Sequence, residues 1–228
     1  MATLVTEQTV CVCVCVCVVD HCGEFRITAG PQKWACDLTL DPNTAHTQLI
    51  LSDENRTVKR VSEYQPYSDH PERFGDDVKQ VLCGESLTGR CYWEAEWSGG
   101  YAGISVTYKG ISRKGGSDDC VFGSNDKSWS LICYNYIFSV YHNNNYTDIP
   151  VVSSSFKRVG VYVDVSTGTL SFYSVSDTHT LTHLHTLNTT FTEPLYAGFR
   201  VDYYYSPVSL CDIKQRPERN NSDTHTTG

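Results

Sequence analysis

The chain between Arg158 and Val175 reads RVGVYVDVSTGTLSFYSV, which has the two-residue period of a β-hairpin. Four valines at alternate positions share one face of its first strand: Val159, Val161, Val163 and Val165. The run stops at 166–168, Ser-Thr-Gly, where glycine can supply the positive φ that a three-residue connection needs. Alternation resumes through Leu170 and Phe172. Such a hairpin predicts an antiparallel sandwich.

Other segments with strand character follow one another at close intervals. We predict strands at 48–52, 57–61, 90–97, 102–108, 128–135, 138–142, 158–165, 169–175, 183–187 and 195–201. In the segment 90–97, one face carries apolar residues: Cys91, Trp93, Ala95 and Trp97. Glu94 and Glu96 point the other way. No segment has a helical period, so the expected fold class is all-β, a two-sheet antiparallel sandwich.

The composition indicates one globular domain with an acidic balance. The 228 residues are 40% hydrophobic and 19% charged, which is enough to bury the core of a single sandwich. The formal net charge is −8 at pH 7, whereas nucleic acids and anionic membranes attract basic surfaces. We therefore expect no nucleic-acid partner and no membrane partner, and we favour a protein partner or a neutral ligand.

Four of the eleven cysteines lie in a strict Cys-Val alternation at 10–19. A repeated TG dinucleotide encodes this pattern, so we interpret it as a translated microsatellite. A thiolate metal site is the alternative, but the repeat lacks the Cys-x-x-Cys spacing of zinc ligands. The other seven cysteines are irregularly spaced: Cys22, Cys36, Cys83, Cys91, Cys120, Cys133 and Cys211. We expect them to be reduced, unbridged thiols of a cytoplasmic protein.

The apolar run at 10–19 could also indicate a secretory signal. However, no Lys or Arg precedes Arg26, and Glu7 and Asp20 flank the run. Ten residues are also too few to cross a bilayer as a helix. The predicted location is therefore the cytoplasm.

Three separated segments resemble the signatures of the PRY-SPRY family in the expected order. They are Leu40-Asp41-Pro42, then Trp93-Glu94-Ala95-Glu96, and finally Val163-Asp164-Val165 inside the hairpin. The stretches 125–131 and 193–199 extend the resemblance to about residues 34–213. The chain departs from the pattern at Ser166, where family members commonly carry an acidic residue.

This resemblance implies a bent, concanavalin-like sandwich that recognises proteins through variable loops. Relatives include tripartite-motif ubiquitin ligases, butyrophilins, fish NOD-like receptors and stonustoxin-like proteins, often in innate immunity, and the fish versions look most similar. We expect a low-complexity leader at 1–33 that lies outside the fold. A PRY segment at 34–80 and a SPRY segment at 81–213 would form one domain, followed by a disordered tail at 214–228.

Catalytic and metal-binding motifs are sparse in this sequence. The chain has no Gly-x-Ser-x-Gly elbow, no His-Glu-x-x-His and no phosphate-binding loop. His183 and His185 could share a strand face near His179, but no third zinc ligand with suitable spacing is evident. We therefore expect a non-catalytic protein without cofactor or metal. A free-standing enzyme or a zinc-binding protein is the alternative.

Aromatic and amide residues in predicted loops are the candidate partner-binding residues. Tyrosines and asparagines of this kind suit adaptable protein recognition. The candidates are Tyr64, Tyr67, Tyr134, Tyr136, Asn143, Asn144, Asn145, Tyr146 and Tyr204. Two alternatives stay open. Tyr203 and Tyr205 could be core residues on one strand face, and the face shared by Ile132, Tyr134 and Tyr136 could be buried against the other sheet instead of flooring a groove.

Overall fold

The computed structural model describes residues 30–75, 77–115, 118–150 and 156–213. Residues 1–29 of the predicted leader and all of the predicted tail lie outside this range. The described chain contains two short 3-10 helices, Gly30–Trp34 and Asp118–Cys120. Its strands are β1 Leu49–Ser52, β2 Thr57–Arg60, β3 Gln80–Leu87, β4 Arg90–Trp97, β5 Tyr101–Tyr108, β6 Ser128–Tyr134, β7 Ile137–His142, β8 Asn145–Ile149, β9 Arg158–Asp164, β10 Thr169–Val175, β11 Leu181–Asn188, β12 Leu195–Arg200 and β13 Val208–Leu210.

The strands form two antiparallel sheets packed as a sandwich. One sheet has the order β1-β2-β13-β4-β9-β10-β11, and the other has the order β3-β12-β5-β6-β7-β8. Hydrophobic side chains from both sheets fill a single main core between them. The expected all-β, two-sheet fold is therefore confirmed, and each of the ten predicted strands is present.

Three strands were not predicted, namely β3, β8 and β13. β13 is only three residues long, and β8 reads NYTDI with one buried residue, so neither carries a clear apolar alternation. The prediction of a loop at 142–146 is wrong for its second half, because Asn145 and Tyr146 begin β8. Asn143 and Asn144 form the intervening turn, with φ of 50° and 59°. Positive φ at both central residues is the mark of a type I′ hairpin turn, for which asparagine is well suited.

The hairpin of β9 and β10 has the predicted register. Val159, Val161 and Val163 are fully buried, and Gly168 has a φ of 68°. Asp164 organises the turn, because its Oδ1 accepts hydrogen bonds from the Ser166 amide at 3.0 Å and from the Ser166 hydroxyl at 2.6 Å. Ser166, at the position where the resemblance led us to expect an acidic residue, thus stabilises the β9–β10 turn through hydrogen bonds to Asp164 in the same hairpin.

Strand β4 is buried on its inner face and along the middle of its outer face. Its inner face, Cys91, Trp93, Ala95 and Trp97, lies in the core as predicted. On the outer face, Glu94 is also buried, whereas the alternation placed it with solvent-facing residues. The helix Gly30–Trp34 covers this face, Tyr92 donates a hydrogen bond to Glu94 at 2.8 Å, and Gln32 donates one at 3.5 Å.

We predict that Trp93→Ala lowers the free energy of unfolding by about 3–5 kcal/mol, because this buried indole fills the centre of the core. Urea denaturation of the full chain measures the change. Tyr64→Ala is the matched control, because its ring is 73% exposed and the expected change is within about 0.5 kcal/mol. Equal losses in the two variants would contradict the assignment of Trp93 to the core.

We also predict that Gly160→Ala destabilises the protein by about 1–3 kcal/mol. A Cβ at position 160 would lie 2.3 Å from the Tyr92 hydroxyl, which packs across β9. Gly84→Ala on β3 is the control, because a Cβ there meets no atom within 4 Å. Thermal unfolding of both variants compares them, and a Gly160→Ala protein as stable as Gly84→Ala would show that Tyr92 does not pack there.

Candidate functional site

Three tyrosine rings meet at one end of the six-stranded sheet, on its outer face. Tyr101 of β5 pairs in register with Tyr134 of β6. Tyr203, from the connection between β12 and β13, stacks on Tyr101 with ring centroids 5.5 Å apart and lies 6.0 Å from Tyr134. Tyr101 is buried, whereas Tyr134 and Tyr203 are 46% and 45% exposed. The buried ring therefore supports two rings that face solvent.

Two of these phenols, Tyr101 and Tyr203, have a pKa above the ordinary value of tyrosine. Burial raises the pKa of Tyr101, and its hydrogen bond to Asp202 acts in the same direction. A hydrogen bond with Tyr134 raises the pKa of Tyr203. Arg200 forms an ion pair with Asp202, in which its Nη2 lies 2.6 Å from the Asp202 Oδ2. The tyrosines thus offer neutral hydroxyl donors as well as apolar ring area.

Arg60 holds the connection between β12 and β13 in place. Its Nη1 donates a hydrogen bond to the carbonyl of Asp202, and its guanidinium lies 4.3 Å from the centroid of the Tyr204 ring. Tyr204 and Tyr205 are 44% and 81% exposed. The alternative that Tyr203 and Tyr205 belong to the core is wrong, because β12 ends at Arg200 and strand alternation ends with it.

The turn between β6 and β7 adds a further aromatic ring. Tyr136 has a φ of 67° and an exposed side chain, and the ammonium of Lys157 lies 4.5 Å from its ring centroid. The same ammonium donates a hydrogen bond to the carbonyl of Gly99 at 2.7 Å. Ile132 and Tyr134 do share the outer face, but Tyr136 belongs to the turn. The alternative that buries this face between the sheets is therefore wrong.

These observations define an aromatic surface whose large side chains are all exposed. Its members are Tyr134, Tyr136, Ile137, Tyr203, Tyr204 and Tyr205. Three cations lie among the rings, because Lys59 is 5.4 Å from the Tyr205 ring and Arg60 and Lys157 hold the positions given above. Sequence patterns indicated Tyr134, Tyr136 and Tyr204, but no local signal pointed to Arg60 or Lys157, which come from distant segments.

The remaining asparagine and tyrosine candidates lie elsewhere. The turn at Asn143 and Asn144 lies at the opposite end of β7 from Tyr136. Asn144 donates a hydrogen bond to Asp118 at 3.3 Å, and Asn145 donates one to the Asn143 carbonyl at 2.9 Å. Tyr146 is exposed and stacks on Tyr141, with ring centroids 5.4 Å apart.

The two tyrosines of the first long loop have different environments. Tyr67 donates its hydroxyl proton to the carbonyl of Leu49 at 2.9 Å, and its ring lies 5.1 Å from the guanidinium of Arg73. Tyr64 is exposed beside a shallow depression of about 240 Å³ that Asp69 and Lys114 also line. Tyr67 thus anchors the loop, whereas Tyr64 is free to contact a partner.

A groove of about 1000 Å³ lies beside the aromatic surface. Trp97, Phe156 and Leu184 supply apolar walls, and Arg158 and His183 supply polar ones. Lys157 lines the groove and also contacts Tyr136, so it links the two features. Residues 151–155, which border the groove in sequence, lie outside the described range.

The predicted histidine pair does not form part of a metal site in the described residues. Within those residues, no group of three or more His, Cys, Asp or Glu side chains is arranged to hold an ion. His183 hydrogen-bonds the Thr186 hydroxyl at 2.7 Å, and its ring packs edge-on against Tyr173. Across the same described ranges, no helix has the length and apolar character needed to cross a bilayer.

The family of this chain follows from comparison with known proteins. Residues 38–87 match the SPRY-associated domain PRY, and residues 90–210 match the SPRY domain. The chain belongs to the PRY-SPRY family, which supports a role as a protein-interaction module.

Several relatives and solved structures share this domain. Stonustoxin subunit beta of Synanceia horrida is 45% identical over 75% of this chain and 24% of that protein. Tripartite motif-containing protein 16 of Mus musculus is 37% identical over 82% of this chain and 33% of that protein. The crystal structure of the TRIM65 PSpry domain has a TM-score of 0.70 at 25% identity, covering 80% of this chain and 93% of that one. The chain thus spans about a quarter to a third of these two full-length relatives.

We predict that Arg60→Ala speeds amide hydrogen exchange in residues 202–206 by about ten-fold or more, because a charge-assisted hydrogen bond to the Asp202 carbonyl is lost. Hydrogen exchange with mass spectrometry measures this change. Lys59→Ala is the control, because Lys59 contacts only the outermost ring, at 5.4 Å. If both variants exchange at the same rate in this segment, Arg60 does not hold the connection.

Proposed function

We propose that this domain is a non-catalytic recognition module that binds a protein partner through the aromatic surface. The observation that carries the proposal is the set of six exposed large side chains around the β6–β7 turn and in the connection between β12 and β13. Groups of exposed large apolar side chains on a protein surface often mark an interaction site. Tyrosine and arginine are also the residues that most often dominate binding energy at interfaces.

Charge indicates what kind of protein segment this surface prefers. The whole chain carries −8, yet Lys59, Arg60 and Lys157 surround the exposed tyrosines. A partner segment that combines an apolar anchor with acidic side chains would complement both properties. Binding should therefore weaken as the salt concentration rises, because ions screen exposed charges.

The finer role rests on the family and its relatives. We propose that the module supplies substrate or ligand recognition to a longer innate-immune protein of the cytoplasm, either a tripartite-motif ubiquitin ligase or a NOD-like receptor. The similarity to tripartite motif-containing protein 16 supports the first architecture. The similarity to a stonustoxin subunit favours a different parent protein, a toxin subunit. The transcript upstream of this region decides between them by the domains that it encodes.

The binding proposal is tested by comparing surface variants of the full chain. Partners are captured from cells by proximity cross-linking, identified by mass spectrometry and then titrated as purified proteins by calorimetry. We predict that the double variant Tyr203→Ala/Tyr204→Ala weakens affinity about 30-fold or more, because two central aromatic contacts are lost. The two changes should leave the core intact, since neither ring is buried.

Tyr64→Ala and Tyr146→Ala are the matched controls, because each removes a tyrosine that is even more exposed than Tyr203 and Tyr204 from another part of the molecule. Their affinities should stay within about three-fold of the parent value. Loss of binding in either control, with full binding in the double variant, would move the site away from the aromatic surface.

A further inference from the structure

Two cysteines from distant parts of the chain meet beside the central strand β4. Ala35 forms a parallel bridge with Tyr92, and the Cys36 amide donates a hydrogen bond to the Tyr92 carbonyl at 3.0 Å. This pairing brings Cys36 next to Cys91, and Cys36 packs against the core cluster that contains Cys91. The Cys36 thiol donates a hydrogen bond to the Tyr92 carbonyl at 3.5 Å, and the Cys91 thiol donates one to the Thr88 carbonyl at 3.4 Å. Both are free thiols in the structure. The contact is between side chains that are 55 positions apart in sequence.

The proximity of the two thiols separates their pKa values. Interaction with the Cys36 thiol lowers the pKa of Cys91 to about 7, and interaction with Cys91 raises the pKa of Cys36. Cys91 therefore carries a substantial thiolate fraction at neutral pH, and thiolate is the form that reacts with oxidants. Burial raises the pKa of Cys83 and of Cys133, so these thiols stay protonated and inert.

Cys36 is the more exposed thiol of the pair. Cys36 is only partly buried, and Cys91, although buried, lies directly against it. The pair thus combines a reactive thiolate with an adjacent second thiol, as in proteins that form reversible disulfides.

We propose that Cys36 and Cys91 are an oxidative modification site that forms a reversible intramolecular disulfide on exposure to hydrogen peroxide. The Cys91 thiolate attacks one peroxide oxygen, the O–O bond breaks, and Cys91 becomes a sulfenic acid while hydroxide leaves and is protonated to water. The Cys36 sulfur then attacks the Cys91 sulfur and displaces a second water. In balance, two thiols are oxidised by two electrons and one peroxide is reduced to two waters.

The bond would join the two halves of the domain covalently. It closes a loop that contains the whole PRY match, residues 38–87, and attaches that loop to β4 of the SPRY match. Closing a loop of this length restricts the unfolded chain, so the oxidised form should melt about 5–10 °C above the reduced form. Oxidation would thus act on stability and leave the aromatic surface exposed.

Peptide mapping of the full chain tests this site directly. The protein is treated with hydrogen peroxide, its free thiols are alkylated, and it is digested with trypsin without reduction. Lysines and arginines separate the relevant thiols, because Cys36, Cys83 and Cys91 fall in the peptides 34–56, 80–90 and 91–109. We expect 34–56 linked to 91–109 as the dominant linked species, released by dithiothreitol, together with the rise in melting temperature.

Cys36→Ser and Cys83→Ser form the matched pair of variants. Cys36→Ser should abolish the linked peptide and the melting shift and should leave a Cys91 sulfenic acid that dimedone traps. Cys83→Ser should retain the link. The proposal is overturned if the parent chain gives no 34–56 to 91–109 link, if 34–56 links mainly to 80–90, or if the linked protein melts no higher than the reduced one.

Discussion

The structure depends on a row of buried side chains that crosses the centre of the seven-stranded sheet. Trp93 on β4, Val161 on β9 and Phe172 on β10 are direct cross-strand neighbours, and all three are almost completely buried. A shift of one residue in any of these strands would turn its apolar side chains outward and its polar ones inward. The fit of this row therefore sets the register of β4, β9 and β10 together, and the other strands pack around them.

The aromatic surface lies where the strand pairing of the six-stranded sheet ends. β5 begins at Tyr101, β6 ends at Tyr134 and β12 ends at Arg200, all at one end of the six-stranded sheet. Beyond these points the backbone leaves the sheet, so the following tyrosines have no second layer to cover them. Cations from β2 and from the residue just before β9 then lie close to the rings. The proposed recognition surface is thus carried by chain that lies at and beyond the ends of the strands, where binding residues commonly stand on a rigid scaffold.

The outer face of β4 shows how the segment before the PRY match joins the fold. Gly160 leaves room for Tyr92 to lie across β9, and Tyr92 in turn holds the buried carboxylate of Glu94. The helix Gly30–Trp34 covers both residues, and this docking carries Cys36 to Cys91. The pairing of Ala35 with Tyr92 therefore explains two features: it holds the short helix against β4, and it places the two cysteines of the proposed redox pair side by side.

The sequence by itself determined the all-β class, ten of the strands, the inward face of β4 and the glycine of the β9–β10 turn, because alternation and turn chemistry are local properties. It also pointed to Tyr134, Tyr136 and Tyr204. Only the tertiary structure separated these three from Tyr67, which anchors a loop, and from Asn143, at the far end of β7. The tertiary structure also showed that Arg60 and Lys157 lie against the exposed tyrosines. The sequence could not predict this, because contacts between distant segments produce no periodic pattern in the chain. Burial of Glu94 was hidden for the same reason, because the helix that covers it lies some 60 positions away in sequence.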